Sequence, residues 1–218
     1  MDAILAQMQG SGPLGLPQLM ALAAALGWAS GFRLYAVVFL VGASGAAGWI
    51  TLPSGLHVLQ HPAMLIGSGV MLLVEFFADK IPGVDSLWDL IHSVIRIPAG
   101  AALAAGALGA DSATATALVA LLGGTLAASS QAAKTTTRAA INTSPEPFTN
   151  IAASLVEDGL VVGAVWLATQ HPLAFALCLG IAIVVLGLVT VTLFRFLRTA
   201  VRRAASLFSG SSKVTQHV

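Results

Sequence analysis

PLAFALCLGIAIVVLGLVTVTLF (172–194) is a run of 23 residues without one Asp, Glu, Lys or Arg. An α-helix rises 1.5 Å per residue and a bilayer core is about 30 Å thick, so about 20 such residues cross it. Arg195, Arg198, Arg202 and Arg203 follow at once. This stretch reads as a membrane-spanning helix with a basic flank. The rest of the chain agrees. Of its 218 residues 57% are hydrophobic and 9% charged, against about 25% charged in a soluble domain. Mean hydropathy is +0.90. Such a chain cannot present a charged exterior to water, which argues against a soluble enzyme and against disorder. Ten Lys+Arg against nine Asp+Glu leave no basic excess for phosphate contacts, which argues against nucleic acid as a partner. Cys178, alone of its kind, reads as a buried small hydrophobe.

The fold class expected is all-α, a polytopic membrane bundle of six helices. They run from about 17 to 48, 62 to 80, 85 to 108, 112 to 138, 149 to 169 and 172 to 203. The first helix would break or bend near Ala29-Ser30-Gly31, and Pro98 would kink the third. Pro17, Pro62 and Pro172 suit first helical turns. Asp85-Ser86, Asp111-Ser112 and Thr149-Asn150 are candidate N-caps. Residues 1–16 form a short N-terminal segment. No Lys or Arg precedes the first apolar stretch, so it is expected to remain in the mature protein. Residues 17–203 form one transmembrane domain and 204–218 a disordered cytoplasmic tail.

Basic residues sort to one side of this parse. Lys80, Lys134, Arg138, Arg195, Arg198, Arg202, Arg203 and Lys213 fall where both termini are cytoplasmic, and the outward connections carry none. His57 and His61 read as outer loop residues. The hairpins of helices two–three and four–five align when Pro82 is set opposite Pro145, which allows a two-fold repeat of the kind carriers use.

Arg33 and Arg96 are left at mid-bilayer depth, where a charge costs roughly 2.5–3.5 kcal/mol on insertion scales. Glu157, Asp158 and Glu75 lie at overlapping depth. Asp85, Asp89, His92 and Arg96 are spaced four, three and four, which puts them on one helical face. Glu75 and Asp79 share a face on the preceding helix. Three readings follow. In the first, the charges neutralise one another and specify packing. In the second, the two arginines, whose forks suit phosphate and carboxylate, form an anion or lipid-phosphate site, with Glu75, Asp79, Asp85, Asp89, Glu157 and Asp158 as counter-charge or proton carriers. Or Glu75, Asp79, Asp85, Asp89 and His92 hold a divalent metal for chemistry on lipid head groups. Ser129, Ser130, Gln131 and Thr135 to Thr137 give the fourth helix a polar face, for a vestibule or a neighbouring helix. Gly31, Gly42, Gly45 and Gly48 mark close packing.

GWASGFRLYAVVFLVG (27–42), EFFADKIPGVDSLWD (75–89), IRIPAGA (95–101) and INTSPEPFTN (141–150), with the acidic pair at 157–158, resemble the DUF4126 family. The resemblance covers roughly residues 25–165. It implies a small bacterial inner-membrane protein and carries over no residue roles. The expectation is therefore an inner-membrane carrier or channel for a small anionic or phosphate-bearing solute or lipid. The alternatives are a metal-dependent enzyme acting on lipid head groups and an assembly or scaffold subunit. No motif names a catalytic residue or a cofactor. The small-residue faces allow a homo-oligomer.

Overall fold

The computed structural model describes residues 14–81, 83–109, 112–143 and 147–211. Among these the chain forms six α-helices, one 3-10 turn and no strand. The helices are α1 (Leu16–Ala46), α2 (Pro62–Ala78), α3 (Val84–Leu108), α4 (Ala113–Ile141), α5 (Pro147–Gln170) and α6 (Pro172–Ser211), with the 3-10 turn at Ser54–Gln60. Five are long and apolar enough to cross a bilayer. Joined to the 3-10 turn, from which it bends by 68°, α2 makes a sixth. The chain is a polytopic membrane helical bundle.

α1 is the axis of the bundle. Of its most apolar window 78% is buried, against 6% for α6. A helix apolar all round is stable only when surrounded, and α2, α3, α4 and α5 all pack on α1. α6 leans on α4 and α5 and turns most of its surface outward, Leu173, Leu177, Ile181 and Leu188 included. Cys178 is exposed on this helix rather than buried as expected. α6 also runs on to Ser211, into the stretch expected to be tail.

Lipid tails are as apolar as the side chains they meet, so helices join by close approach and polar contact. Glycine allows that approach along α1, α3 and α4. A Cβ on Gly27 would lie 2.7 Å from Gly123 Cα. One on Gly100 would lie 2.7 Å from Ala127 Cβ, and one on Gly31 would collide with Ala127 O and Ser130 Oγ. Gly42 and Gly45 give the same closeness to Leu59 and Leu52 around the 3-10 turn.

The caps differ in detail from expectation. Ser112 caps α4, its Oγ accepting from Ala115 N at 3.1 Å. α3 begins from Gly83, whose φ of 86° suits glycine. Asp85 serves that end from inside the first turn, its Oδ1 accepting from Gly83 N (2.9 Å) and Ser86 N (2.7 Å). α5 starts at Pro147, so Thr149-Asn150 lies within its first turn and is no cap. His61 closes the 3-10 turn and caps α2, its Nδ1 accepting from Ala63 N at 3.2 Å. His57 bonds Leu52 O at 2.9 Å. Helix α3 passes Pro98 without interruption. Pro82 and Pro145, on which the repeat alignment turns, lie outside the described residues, as do Asp111 and Lys213.

Candidate functional site

α1 breaks at Arg33, where φ is −147° and ψ 85°. The sequence placed a break near Ala29-Ser30-Gly31, and it falls two residues further on. Those residues are helical, and Gly31 serves contact with α4 instead. A break inside a membrane helix frees carbonyls that lipid cannot satisfy. Helix α4 supplies the donors: Ser130 Oγ to Trp28 O at 2.6 Å and Lys134 Nζ to Phe32 O at 3.1 Å.

Around the break lies a network of ion pairs. Arg33 meets Asp158 (2.7 Å), Asp79 (3.1 Å) and, more distantly, Glu157 (4.0 Å), and donates to Ser154 Oγ at 2.6 Å. Arg96 pairs with Glu75, with Asp89 at 2.8 Å and with Gln131 Oε1 at 2.8 Å. Arg138 places its fork on both oxygens of Glu157, at 3.2 and 3.0 Å. Lys134 Nζ touches Asp79 Oδ2 (3.0 Å), Asp89 Oδ1 (3.1 Å) and Glu157 Oε2 (3.4 Å). Four cations thus face five carboxylates among the described residues, one negative charge in excess.

Arg33, Glu75, Asp79, Asp89, Arg96 and Arg138 have no exposed surface. Asp158 is the network member that reaches outward, with 30% of its side chain exposed. Three carboxylate oxygens, Glu75 Oε2, Asp79 Oδ1 and Asp89 Oδ2, are buried with no hydrogen-bond partner, and so is Arg33 Nη1. Buried polar atoms are rarely left so.

The structure brings together Arg33, Glu75, Asp79, Asp89, Arg96, Glu157 and Asp158. It keeps Asp85 and His92 apart from the ion pairs. Asp85 accepts from Asn142 Nδ2 at 2.9 and 3.0 Å. Asn142 Oδ1 accepts from Asn150 Nδ2 at 3.0 Å, and Asn150 O accepts from Arg138 at 3.1 Å. Asp85 therefore joins the network through two asparagines. His92 stacks on Trp88, ring centroids 4.0 Å apart, and its Nδ1 meets Trp88 O at 2.9 Å. Its predicted face is correct all the same: Asp85, Asp89, His92 and Arg96 are all buried. Among the described residues no three of His, Cys, Asp and Glu converge to hold a metal ion. The five groups read as metal ligands are instead engaged with cations, asparagine and tryptophan.

Lys134 and Arg138 were read as basic residues flanking a cytoplasmic loop. Both are buried in the network, because α4 continues past them to Ile141. The signal was their spacing: Ala127, Gln131, Lys134 and Arg138 recur at four, three and four, the same face pattern seen in α3. Gln131 and Ser130 do bond neighbouring helices, as the polar face of α4 suggested. Just past α2, Lys80 donates to Phe76 O at 3.0 Å. Burial first, and the Arg33 guanidinium second, hold its ammonium below the usual lysine value.

Comparison with curated proteins and with solved structures returns no match. A family model described as "Domain of unknown function (DUF4126)" matches residues 20–193, most of the chain and all of the charge network. The chain belongs to the DUF4126 family.

Proposed function

We propose that this protein is a carrier for a small charged solute, with the buried network as its coupling site. One observation carries the reading. Nine charged side chains gather where a membrane helix unwinds, all but Asp158 buried, and three of their carboxylate oxygens lack partners. Intramembrane ionisable groups at a broken helix are the usual place for substrate and coupling ions.

The packing supports a moving part. The cations sit on α1, α3 and α4, which are held to one another by glycine contacts. Glu75 and Asp79 sit at the end of α2, which packs on α1 and touches α3 at few points. A cleft of about 520 Å³ separates α2 from α3, lined by Tyr35, Gly67, Met71 and Ala99. Another of about 310 Å³, lined by Leu40, Leu72, Phe76 and Asp158, lies on its other side. Protonating Glu75 or Asp79 would weaken the hold on α2. This is the differential interaction a two-state change requires.

The sequence suggested an anionic or phosphate-bearing substrate. The arginine forks already hold carboxylates and the network is negative overall, which favours a proton or a cation. An anion reading keeps its support in the unpartnered Arg33 Nη1 and Arg96 Nε. For an anion to bind there, a carboxylate would have to withdraw. With the termini in the cytoplasm, Asp85 and the asparagines would link the network to the inner face.

Proteoliposomes loaded with a pH-reporting dye test this. Gradients of K+, Na+ and phosphate are imposed in turn, on wild type and on Asp79→Asn. Flux above that of empty vesicles, lost in Asp79→Asn, supports the carrier, and the effective gradient names the solute class. Wild-type flux equal to empty vesicles under every gradient would leave the network a packing device.

A further inference from the structure

One network carboxylate reaches the lipid phase. Asp158 is the twelfth of the 24 residues of α5, half-way along that span, and 30% of its side chain is exposed. Its Oδ1 meets Arg33 Nε at 2.7 Å, while its Oδ2 makes no hydrogen bond or ion pair among the described residues. The carboxylate closes a cleft of about 310 Å³ between α2 and α5. The rest of the lining is apolar, with Leu40, Leu72, Leu73, Phe76 and Val162. Leu73 and Val162 are exposed, so the cleft opens sideways to lipid. Lys80 is not part of the lining. Its ammonium is engaged by Phe76, donating to the carbonyl at 3.0 Å and lying 2.8 Å from the ring centroid.

We propose that this cleft binds a lipophilic monocation, an ammonium or phosphonium that carries its own apolar groups, with its charge beside Asp158 and its body against Leu40, Leu72, Phe76 and Val162. The inference rests on the carrier reading and names a substrate class for it. Chemistry decides between the occupants. A lipid acyl chain fits the walls but leaves the outward carboxylate oxygen against hydrocarbon, where a charge is costly. An anion meets Asp158 and a network with one negative charge in excess. A hydrated K+ or Na+ needs oxygens to replace its water, and in this lining only the carboxylate offers them. A cation wrapped in apolar groups needs none. It enters from lipid, sets its charge beside Oδ2, and meets in Phe76 the kind of ring that suits quaternary cations. Among the described residues Asp158 pairs only with Arg33 of α1. A cation that shares its carboxylate weakens this attachment of α5, which is the differential interaction a transport step requires.

The experiment measures equilibrium binding of radiolabelled tetraphenylphosphonium to the full chain in nanodiscs, with protein-free nanodiscs as the blank. Wild type should bind the cation saturably above the blank. Val162→Trp fills the cleft from its lipid side and leaves every charge in place. It should lose the binding while melting as wild type does. Asp158→Asn should weaken the binding roughly tenfold or more. Neutral triphenylphosphine oxide, similar in its apolar groups, should not compete. Wild-type binding no greater than the blank overturns the proposal. So does binding retained in Val162→Trp or in Asp158→Asn, or displacement by the neutral compound. Should Asp158→Asn fail to fold, the wild type, Val162→Trp and the neutral competitor still decide. Saturable binding with no dye response above empty vesicles, when a phosphonium gradient replaces the salts of the vesicle assay, would refute the carrier and keep the site. Ion flux without phosphonium binding would do the reverse.

Discussion

The Arg96–Glu75 pair tests whether the network is held by charge compensation. Arg96 is fully buried and bonds Glu75, Asp89 Oδ1 (2.8 Å) and Gln131 Oε1 (2.8 Å). In Arg96→Met, Asp89 keeps Lys134 at 3.1 Å. Among the described residues Glu75 pairs with no second cation, and its Oε2 already lacks a partner. The variant therefore strands a carboxylate in the membrane interior, at a cost of about 3–5 kcal/mol. Glu75→Gln should cost less, about 1–3 kcal/mol, because the amide oxygen still accepts from Arg96 and Arg96 retains Asp89. The double variant removes the stranded charge. Its cost should fall about 2 kcal/mol short of the sum of the two, the sign of a direct coupling. In a chain of this length 1 kcal/mol moves the melting temperature by about 2–4 °C. Arg96→Met should then melt about 10 °C below wild type in nanodiscs. Adding Glu75→Gln should lower it little further or raise it. Strictly additive losses, or an Arg96→Met protein as stable as wild type, would refute the reasoning.

Gly31→Val should destabilise by about 3 kcal/mol or more, because its Cβ meets the α4 backbone at Ala127 O. Gly67→Ala has open space around it, so the same melting assay should show no loss and at most a gain of about 1 kcal/mol. Asp158 is the network carboxylate with surface exposed; an apolar carbodiimide added to membranes should modify it and spare Glu75 and Asp79, as peptide mass mapping would show. Asn150→Ala removes the link between Arg138 and Asn142. It should cost about 1–3 kcal/mol, with a melting temperature unchanged from wild type counting against the Asp85 branch of the network.

The spans were legible because apolar runs of bilayer length have few other uses. All six helices begin within two residues of the expected start, while α6 continues well past its expected end. The face of Asp85, Asp89, His92 and Arg96 was legible for a related reason, since helical spacing fixes which side chains share a side. What spacing cannot show is a partner on another helix. Arg33 was legible as a charge at depth, but not its partners, since Asp79, Asp158 and Ser154 come from distant parts of the chain. Lys134 and Arg138 sat near a helix end, where basic residues usually meet water. The continuation of α4 to Ile141, and the face they share with Ala127 and Gln131, put them inside. The metal reading failed on the same point: four acids and a histidine were close in sequence, but nearby cations and Asn142 had already claimed the acids.

Charge and glycine divide the work of holding this bundle together. Gly27, Gly31, Gly100 and Gly123 lock α1, α3 and α4 at backbone contact. On α2, Gly67 meets nothing and Gly69 only the side chain of Phe39, and on α5 Gly159 and Gly163 meet nothing. These two helices instead bring Glu75, Asp79, Glu157 and Asp158 to cations carried by the locked three. A bundle that needed only to be rigid would gain more from a further glycine face than from buried ion pairs, which barely offset their own desolvation. Glycine contact, however, cannot respond to pH or to ions. Carboxylates can, since each proton or cation that neutralises one removes attraction from a particular helix. The helices without glycine locks are thus the ones whose attachment is chemically adjustable, and Lys134 touches carboxylates from both. That placement ties any change in the charges around Lys134 to α2 and α5 together, which is what coupling between distant parts of the bundle requires.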